Sequence, residues 1–400
     1  MGQIKVVHTS DWHLGKRLYR KDREEEHLLF LNWLVGHLES QSADVLVIAG
    51  DIFDSPTPAH SALKNYYDFL KKVNDLGVQT VVISGNHDSQ GLIAAPKNLL
   101  KDNKTHLYPR LETELRKNIC HLNINGNDLW IKSLPYFRNY ELIKLASELD
   151  MFDEELPREE VFKNTLKRFF EYWPEEATKN KMLLSHHVFG DYAATGSEHF
   201  IGLSGIESVS IDWLKGNTDY AALGHIHKYQ ALSQEPPSIY TGSPLQMRFS
   251  ESKQKHISNM IFDNGLISHE KVEIPVFREL VQVKTNSQTY ESDIEKKLKN
   301  VQGELLPYVE VQMEMLESRT GMVDIVKELC SKLDCELLSF LPILKEKDTI
   351  EPESIGANEL NVVELFKRFY KEKYPQSEAV PTYLEQHFKA LIDESGDEDS

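Results

Sequence analysis

Cysteine is scarce in this chain: Cys120, Cys330 and Cys335 are the only three in 400 residues. An odd number, in no metal-knuckle spacing, argues against a disulfide framework and a thiolate zinc site and leaves reduced, buried thiols as the expectation. No uninterrupted apolar run approaches the roughly 20 residues that cross a bilayer. The start, Met1-Gly2-Gln3-Ile4-Lys5, lacks the basic and apolar regions of a secretory signal, so a cytoplasmic protein with no membrane attachment is expected. There is no Gly-x-x-x-x-Gly-Lys-Ser/Thr loop, which excludes ATP binding by that route. Positive charge is also short. The net charge is −18, and residues 351–400, with 12 acidic and 5 basic side chains, carry −7 of it. A stand-alone nucleic-acid binder usually presents a basic face. The balance therefore argues weakly against a nucleic-acid substrate and strongly for metal ions or a partner subunit in holding one.

What is present is an ordinary globular composition, 40% hydrophobic and 27% charged, with room for two or three domains. The first two-thirds alternates strand and helix signals. Ile4–Val7, Val45–Ala49, Thr80–Ile83, Leu129–Leu134, Met182–Leu184, Ala221–Leu223 and Ile239–Tyr240 read as short strands, several buried on both faces. Phe30, Leu34 and Leu38, and then Leu63, Tyr66, Leu70 and Val73, recur at helical spacing, and residues 158–173 read as a further helix. This predicts an α/β layered domain over 1–272. Two strand–helix–strand units over 275–345 predict a small α+β domain, with a last strand Leu337–Leu341 stopped by Pro342. A polar linker is expected at 346–358, a helical hairpin at 359–392 and an acidic disordered tail at 393–400.

Five segments carry the chemistry: Asp11-Trp12-His13, Gly50-Asp51-Ile52-Phe53-Asp54, Gly85-Asn86-His87-Asp88, Ser185-His186-His187 and Gly224-His225-Ile226-His227. Each follows a strand-like run, so the side chains are expected at carboxyl strand ends, where open α/β sheets bind ligands. Any one piece is common by chance, and a lone histidine of this kind is more often a hydrogen-bonded core residue. All five in this order supply carboxylate, amide and imidazole donors without thiolate, a mixture suited to Mn²⁺, Mg²⁺ or Fe²⁺. Two such ions held side by side are the usual device for hydrolysing phosphate esters. Asp51, ending the most buried strand, is the natural bridging carboxylate. Asp11 and His13 can face one ion, and His225 and His227 can each reach a different one.

The set resembles the calcineurin-like metallophosphoesterase superfamily and, within it, the SbcD-type nucleases. His8-Thr9-Ser10-Asp11-Trp12-His13-Leu14-Gly15, Ala222-Leu223-Gly224-His225-Ile226-His227 and Tyr240-Thr241-Gly242-Ser243-Pro244 carry the narrower likeness. The resemblance implies a four-layer αββα sandwich with a small α+β capping domain and a C-terminal helical hairpin. It implies one divalent ion on Asp11, His13, Asp51 and His227 and a second on Asp51, Asn86, His186 and His225, with His187 left open as the alternative to His186. Manganese is the expected ion. His87 resembles a catalytic histidine that holds no metal, and Asp88 would orient its ring.

The same resemblance implies a DNA nuclease, 3′–5′ exonuclease on double-stranded ends and endonuclease on hairpins or single strands. It would act with the SbcC ATPase in DNA repair, recombination and replication, as a homodimer within a heterotetramer. The 275–345 domain would cap DNA ends and the 359–392 helices would dock on SbcC. The alternatives are a phosphodiesterase or phosphomonoesterase for small substrates and a non-enzymatic scaffold that uses metal only for structure. Lys16, Arg17, Arg20, Lys21 and Arg23 read either as a phosphate-contact strip or as a solvated helix start. Tyr136, Phe137, Arg138 and Arg248 read as nucleotide-flanking candidates or as packing residues.

Overall fold

The computed structural model describes residues 2–101, 104–190, 208–315, 321–344, 362–373, 381, 384 and 388. The chain separates into two units, 1–344 and 345–400. In the first, the order begins β1 (Ile4–Thr9), β2 (Arg17–Leu18), β3 (Lys21–Asp22), α1 (Glu24–Gln41), β4 (Val45–Ala49), α2 (His60–Asp75) and β5 (Gln79–Ile83). Two short helices follow, α3 (Gln90–Ala94) and α4 (Lys97–Lys101), then β6 (Thr105–Tyr108), β7 (Ile119–Ile124), β8 (Asn127–Leu134), α5 (Asn139–Glu148) and α6 (Arg158–Glu171). The layered part ends with β9 (Lys181–Ser185), β10 (Tyr220–Leu223), β11 (Gln230–Gln234), β12 (Pro237–Tyr240), β13 (Lys255–Phe262) and β14 (Leu266–Ile274).

Two six-stranded sheets result, in the orders β14-β13-β1-β4-β5-β6 and β11-β12-β10-β9-β8-β7. The central strands of each run parallel; β13 and β14 of the first sheet and β7 and β11 of the second pair antiparallel with their neighbours, while β6 ends the first sheet in parallel. The side-chain alternation of β4 explains the layering. Leu46 and Ile48 pack into a core with Phe30, Leu34 and Leu38 of α1 and Tyr66 and Phe69 of α2. Val45, Val47 and Ala49 enter a second core with Met182, Leu184 and Ala222 of the facing sheet. On the far side, Leu183, Ala221 and Leu223 pack against Leu142, Leu145, Phe162 and Leu166 of α5 and α6. Every β4 residue is fully buried, and each of its Val, Leu and Ile side chains contributes about 1.5–3 kcal/mol. The αββα sandwich expected from the sequence is the observed one.

The small α/β part comprises β15 (Leu280–Asn286), α7 (Tyr290–Leu298), β16 (Tyr308–Met315), α8 (Met322–Lys332) and β17 (Glu336–Leu344). Its three strands are parallel, in the order β15-β16-β17. Pro342 does not stop the last strand, which pairs with β16 as far as Leu344. β17 is an edge strand, and there a residue without an N–H is tolerated because no outer ladder needs its donor. The basic segment after His13 is not a helix start either: it forms the β2–β3 hairpin, turned at Tyr19 and Arg20, both with positive φ.

In the second unit, α9 (Val362–Lys373) is helical, and the rings of Phe366 and Phe388 stack at 4.1 Å. The linker expected at 346–358, the tail at 393–400 and most of the second hairpin helix lie outside the described residues. Among the described residues no helix is long and apolar enough to cross a membrane.

Candidate metal centre

The parallel strands deliver their carboxyl ends to one place. Asp11 and His13 follow β1, Asp51 follows β4, and Asn86 and His87 follow β5. From the facing sheet, His186 follows β9, and His225 and His227 follow β10. Backbone bonds lace the loops together: Asp11 N donates to Gly50 O at 3.0 Å, His13 N to Asp51 O at 3.0 Å and Gly224 N to Ser185 O at 2.9 Å. The His225 amide donates to Asp11 Oδ1 at 3.0 Å. Asp11, His13, Asp51 and His225 all take positive φ, at 54°, 48°, 50° and 104°. Non-glycine residues held there cost of order 1–3 kcal/mol each and cluster at functional sites.

Two glycines allow this approach. A Cβ on Gly85 would lie 2.1 Å from Asp51 Oδ1, and one on Gly224 would lie 2.0 Å from Ala49 O and 2.9 Å from His186 Nδ1. Only a residue without a side chain lets the β5 and β10 loops close on Asp51 and His186.

Donor atoms of Asp11, His13, Asp51 and His227 lie within 4.8 Å of one another, all buried. A second set gathers on Asn86, whose Oδ1 lies 3.0 Å from both His186 Nε2 and His225 Nδ1. One oxygen joins the two: Asp51 Oδ2 is 3.6 Å from His13 Nε2 and 3.4 Å from His186 Nε2. Asp11, His13, Asp51 and His227 thus gather together, Asn86 lies with His186 and His225, and Asp51 stands next to both His13 and His186. The two adjacent histidines point in different directions, His186 Nε2 towards Asp51 and Asn86. His187 turns away, its Nε2 3.1 Å from the Pro135 carbonyl and its ring stacked on Tyr136 at 5.5 Å.

The donor set fits divalent cations. His186 Nδ1 donates to Ala49 O at 2.7 Å, which fixes the tautomer and leaves the Nε2 lone pair facing the Asp51 carboxylate and the Asn86 carbonyl. Three acceptors facing one another demand a positive charge. Although burial disfavours its charged form, the Asp51 carboxylate and then Asp11 lift the His186 imidazole to about 9. Burial raises Asp11. Burial would also raise Asp51, but His186 and His13 hold it well below the usual carboxylate range. His227, buried and beside His13, stays well below the ordinary histidine value, a neutral imidazole able to act as a ligand.

Asp88 departs from its expected role. Its carboxylate accepts from the backbone amides of Gly85 at 2.9 Å, Phe53 at 3.0 Å and Ile52 at 3.2 Å. It is a strut between the β4 and β5 loops, and burial and nearby Asp51 push it up to about 6 against those three donors. The ring of half-buried His87 is held instead by the carbonyl of Asp54, 2.9 Å from Nδ1, and lies edge-on to His13 at 4.7 Å. Asp54 is the second carboxylate of Gly-Asp-x-x-Asp, a site residue that sequence reasoning misses. The spacing alone gives no sign that its main chain serves His87.

The basic strip divides. Lys16 pairs with Asp54 at 2.9 Å, Lys21 with Glu336, and buried Arg23 with Glu26 and the Gln246 carbonyl. Arg17 and Arg20 remain exposed, as do Arg138 and Arg248, while Phe137 is fully buried.

A family profile described as Calcineurin-like phosphoesterase matches residues 4–229. Among characterised relatives, the SbcD component of nuclease SbcCD from Escherichia coli (strain K12) is 24% identical over 389 residues, 91% of this chain and 92% of that protein. The SbcD component from Bacillus subtilis (strain 168) is 32% identical over 257 residues, 62% of this chain and 63% of that one. Its Staphylococcus epidermidis counterpart is 27% identical over 304 residues, 74% of this chain and 75% of its own. The matched span includes all seven of the clustered donor residues, and the chain belongs to the calcineurin-like phosphoesterase family.

Proposed function

We propose that the chain is the nuclease subunit of a two-metal DNA-processing complex. It cleaves 3′–5′ from double-stranded ends and endonucleolytically at hairpins or single strands, in the cytoplasm, in DNA repair and recombination. The observation that carries this is Asp51 Oδ2, placed between His13 and His186 so that one carboxylate serves two donor sets. Asp11, His13, Asp51 and His227 would hold one ion and Asp51, Asn86, His186 and His225 the other, manganese being the expected metal. When bound, such a pair acidifies water and offsets charge on the phosphoryl group. His186 Nδ1, anchored on Ala49 O, keeps its other nitrogen in line. The Asp54 carbonyl holds His87 by Nδ1, so the chemistry of that ring runs through Nε2. His87 then either supplies a proton from Nε2 to the departing oxygen, which requires the doubly protonated ring, or contacts the non-bridging oxygens; a positioned acid is worth on the order of 10²–10⁴ in rate.

The names of the relatives support the DNA substrate and a partner of the SbcC type. The acidic net charge of −18 supports shared binding, because a partner would supply basic surface. In this reading the 275–345 domain orients DNA ends, the 359–392 helices dock on the ATPase, and two copies assemble with it. The test incubates the protein with Mn²⁺, hairpin DNA and a chromogenic phosphodiester, with and without SbcC and ATP. Cleavage of the hairpin, accelerated by partner and ATP, is expected. Turnover of the small diester with DNA untouched under every condition would instead favour a small-substrate phosphodiesterase.

A further inference from the structure

Beside the metal centre lies a cavity of about 520 Å³, walled by Lys228 and Tyr229 after β10, by residues 250–252 and 254–256 leading into β13, and by Lys271 of β14. Its charge is opposite to that of the chain. Three ammonium groups, Lys228, Lys255 and Lys271, face it with one carboxylate, Glu251. That carboxylate is already engaged: Glu251 Oε2 takes Lys255 Nζ at 2.6 Å and the Met247 amide at 3.0 Å. Lys228 and Lys271 form no ion pair among the described residues, and Lys271 sits 4.5 Å over the Tyr229 ring.

The wall also holds an unmet polar group. His256 is 8% exposed, and its buried Nδ1 has no hydrogen-bond partner. Its imidazole is pushed down to about 4, by burial first and then by Lys271 and Lys255, which registers the positive field of the cavity. The floor is shared with the metal centre. His227 lines the cavity, and Lys255 Nζ reaches the His227 carbonyl at 3.4 Å and Ser243 Oγ at 3.0 Å.

We propose that this cavity is a nucleotide-phosphate site, held by Lys228 and Lys271 and flanked by Tyr229 and His256, distinct from the position of the hydrolysed phosphate. It rests on the nuclease reading for the source of its ligand, either a non-scissile phosphate of the bound strand or a released mononucleotide. Two cations with no carboxylate partner and the hydroxyl-bearing Ser250 and Ser252 suit a phosphate better than a metal ion or an apolar ligand. The back of a proposed metal ligand forms the floor, so a phosphate seated here lies next to the cleavage centre without touching its donors.

The experiment uses the full chain stripped of metal by chelation, which removes the other place a phosphate could bind. Calorimetric titration compares thymidine 5′-monophosphate with thymidine. Binding of the monophosphate alone is expected, weakened at least tenfold in the Lys228→Ala/Lys271→Ala double variant and retained in Lys271→Arg. Absence of binding to the metal-free wild type, or an unchanged double variant, would overturn the proposal. A single-stranded oligonucleotide titrated across salt concentrations separates the sources. If the strand uses the site, the slope of log affinity against log salt falls by about 1 in the double variant. If monophosphate binding is lost and that slope holds, the ligand is the released nucleotide. DNA left uncut by a protein that still binds the monophosphate would fault the nuclease reading alone. DNA cut by a protein that does not bind it would fault the cavity alone.

Discussion

The carbonyl oxygen of Asp54 lies 2.9 Å from Nδ1 of His87, while the carboxylate of the same residue meets His13 Nδ1 at 3.4 Å and Lys16 Nζ at 2.9 Å. One residue thus positions both a proposed metal ligand and the histidine at the mouth of the site. A main-chain carbonyl can only accept a hydrogen bond, so Nδ1 of His87 carries the hydrogen and the chemistry falls to Nε2. The cluster His13, Asp54 and His87 also has the spacing of an ion site, but the Lys16 ammonium already supplies the cation that Asp54 needs.

Substituting His87→Asn should therefore separate metal binding from turnover. His87 belongs to neither of the two proposed donor sets around Asp51, so two equivalents of manganese should remain by elemental analysis. The turnover number should fall on the order of 10²–10⁴-fold, the worth of a positioned acid. If metal content and activity both survive, His87 has no catalytic part.

The neighbouring histidines should behave oppositely. His186→Ala removes an imidazole anchored at 2.7 Å to Ala49 O and aimed at Asp51 and Asn86, so bound manganese should drop from two equivalents to one. His187→Ala should keep both. It deletes the stack on Tyr136 and the packing on Phe137, and should appear as lost stability of about 2–4 kcal/mol in denaturant unfolding, in the range of large-to-small core changes. One equivalent lost from His187→Ala instead would reverse the assignment.

Much of this is legible in the sequence, and the reasons differ by element. β4 announces itself because Val45–Ala49 is apolar throughout, as a strand sandwiched between two cores must be. β13 and β14 do not: Lys255–Phe262 is buried yet carries Lys255, His256, Ser258 and Asn259 among its apolar residues, and Leu266–Ile274, at the sheet edge, is mostly exposed and polar. The metal-ligand candidates are legible because each follows a strand, and parallel strands bring their ends together. The Asp88 role is not, because whether a carboxylate serves a ring or three backbone amides depends on how two loops meet. Arg23 looks like part of a basic strip, yet it is 1% exposed and neutralised by Glu26, a pairing that charge counting cannot distinguish from a solvated face.

Gly224→Ala tests the packing that the motif glycines permit. The added methyl would sit 2.0 Å from the Ala49 carbonyl oxygen, a backbone atom that cannot swing aside. Ala49 O also anchors His186, so the variant should lose stability by about 1–3 kcal/mol, typical of overpacking, and should bind the second ion more weakly. Unfolding with and without manganese would show both effects, and a variant with wild-type stability and two bound ions would mean that the strand ends do not close as tightly as described.

The last prediction concerns acid. His8 is fully buried between the sheets, edge-on to Tyr220 at 6.2 Å, and burial pushes its imidazole down to about 3 from the ordinary 6.5, with a backbone bond to Leu223 opposing. A folded value below the unfolded one means that the unfolded chain takes up the proton first. The stability this group contributes is complete above pH 6.5 and drains away as the pH falls towards 3. Two units below 6.5, at about pH 4.5, roughly 2–3 kcal/mol should be gone at 1.36 kcal/mol per unit. His8→Phe keeps a ring against Tyr220 but cannot protonate, so its stability difference between pH 7 and about 4.5 should be smaller than the wild type's by that amount. Denaturant unfolding of the chelator-treated proteins at both pH values measures it. Equal acid sensitivity in the two would place the loss on other groups.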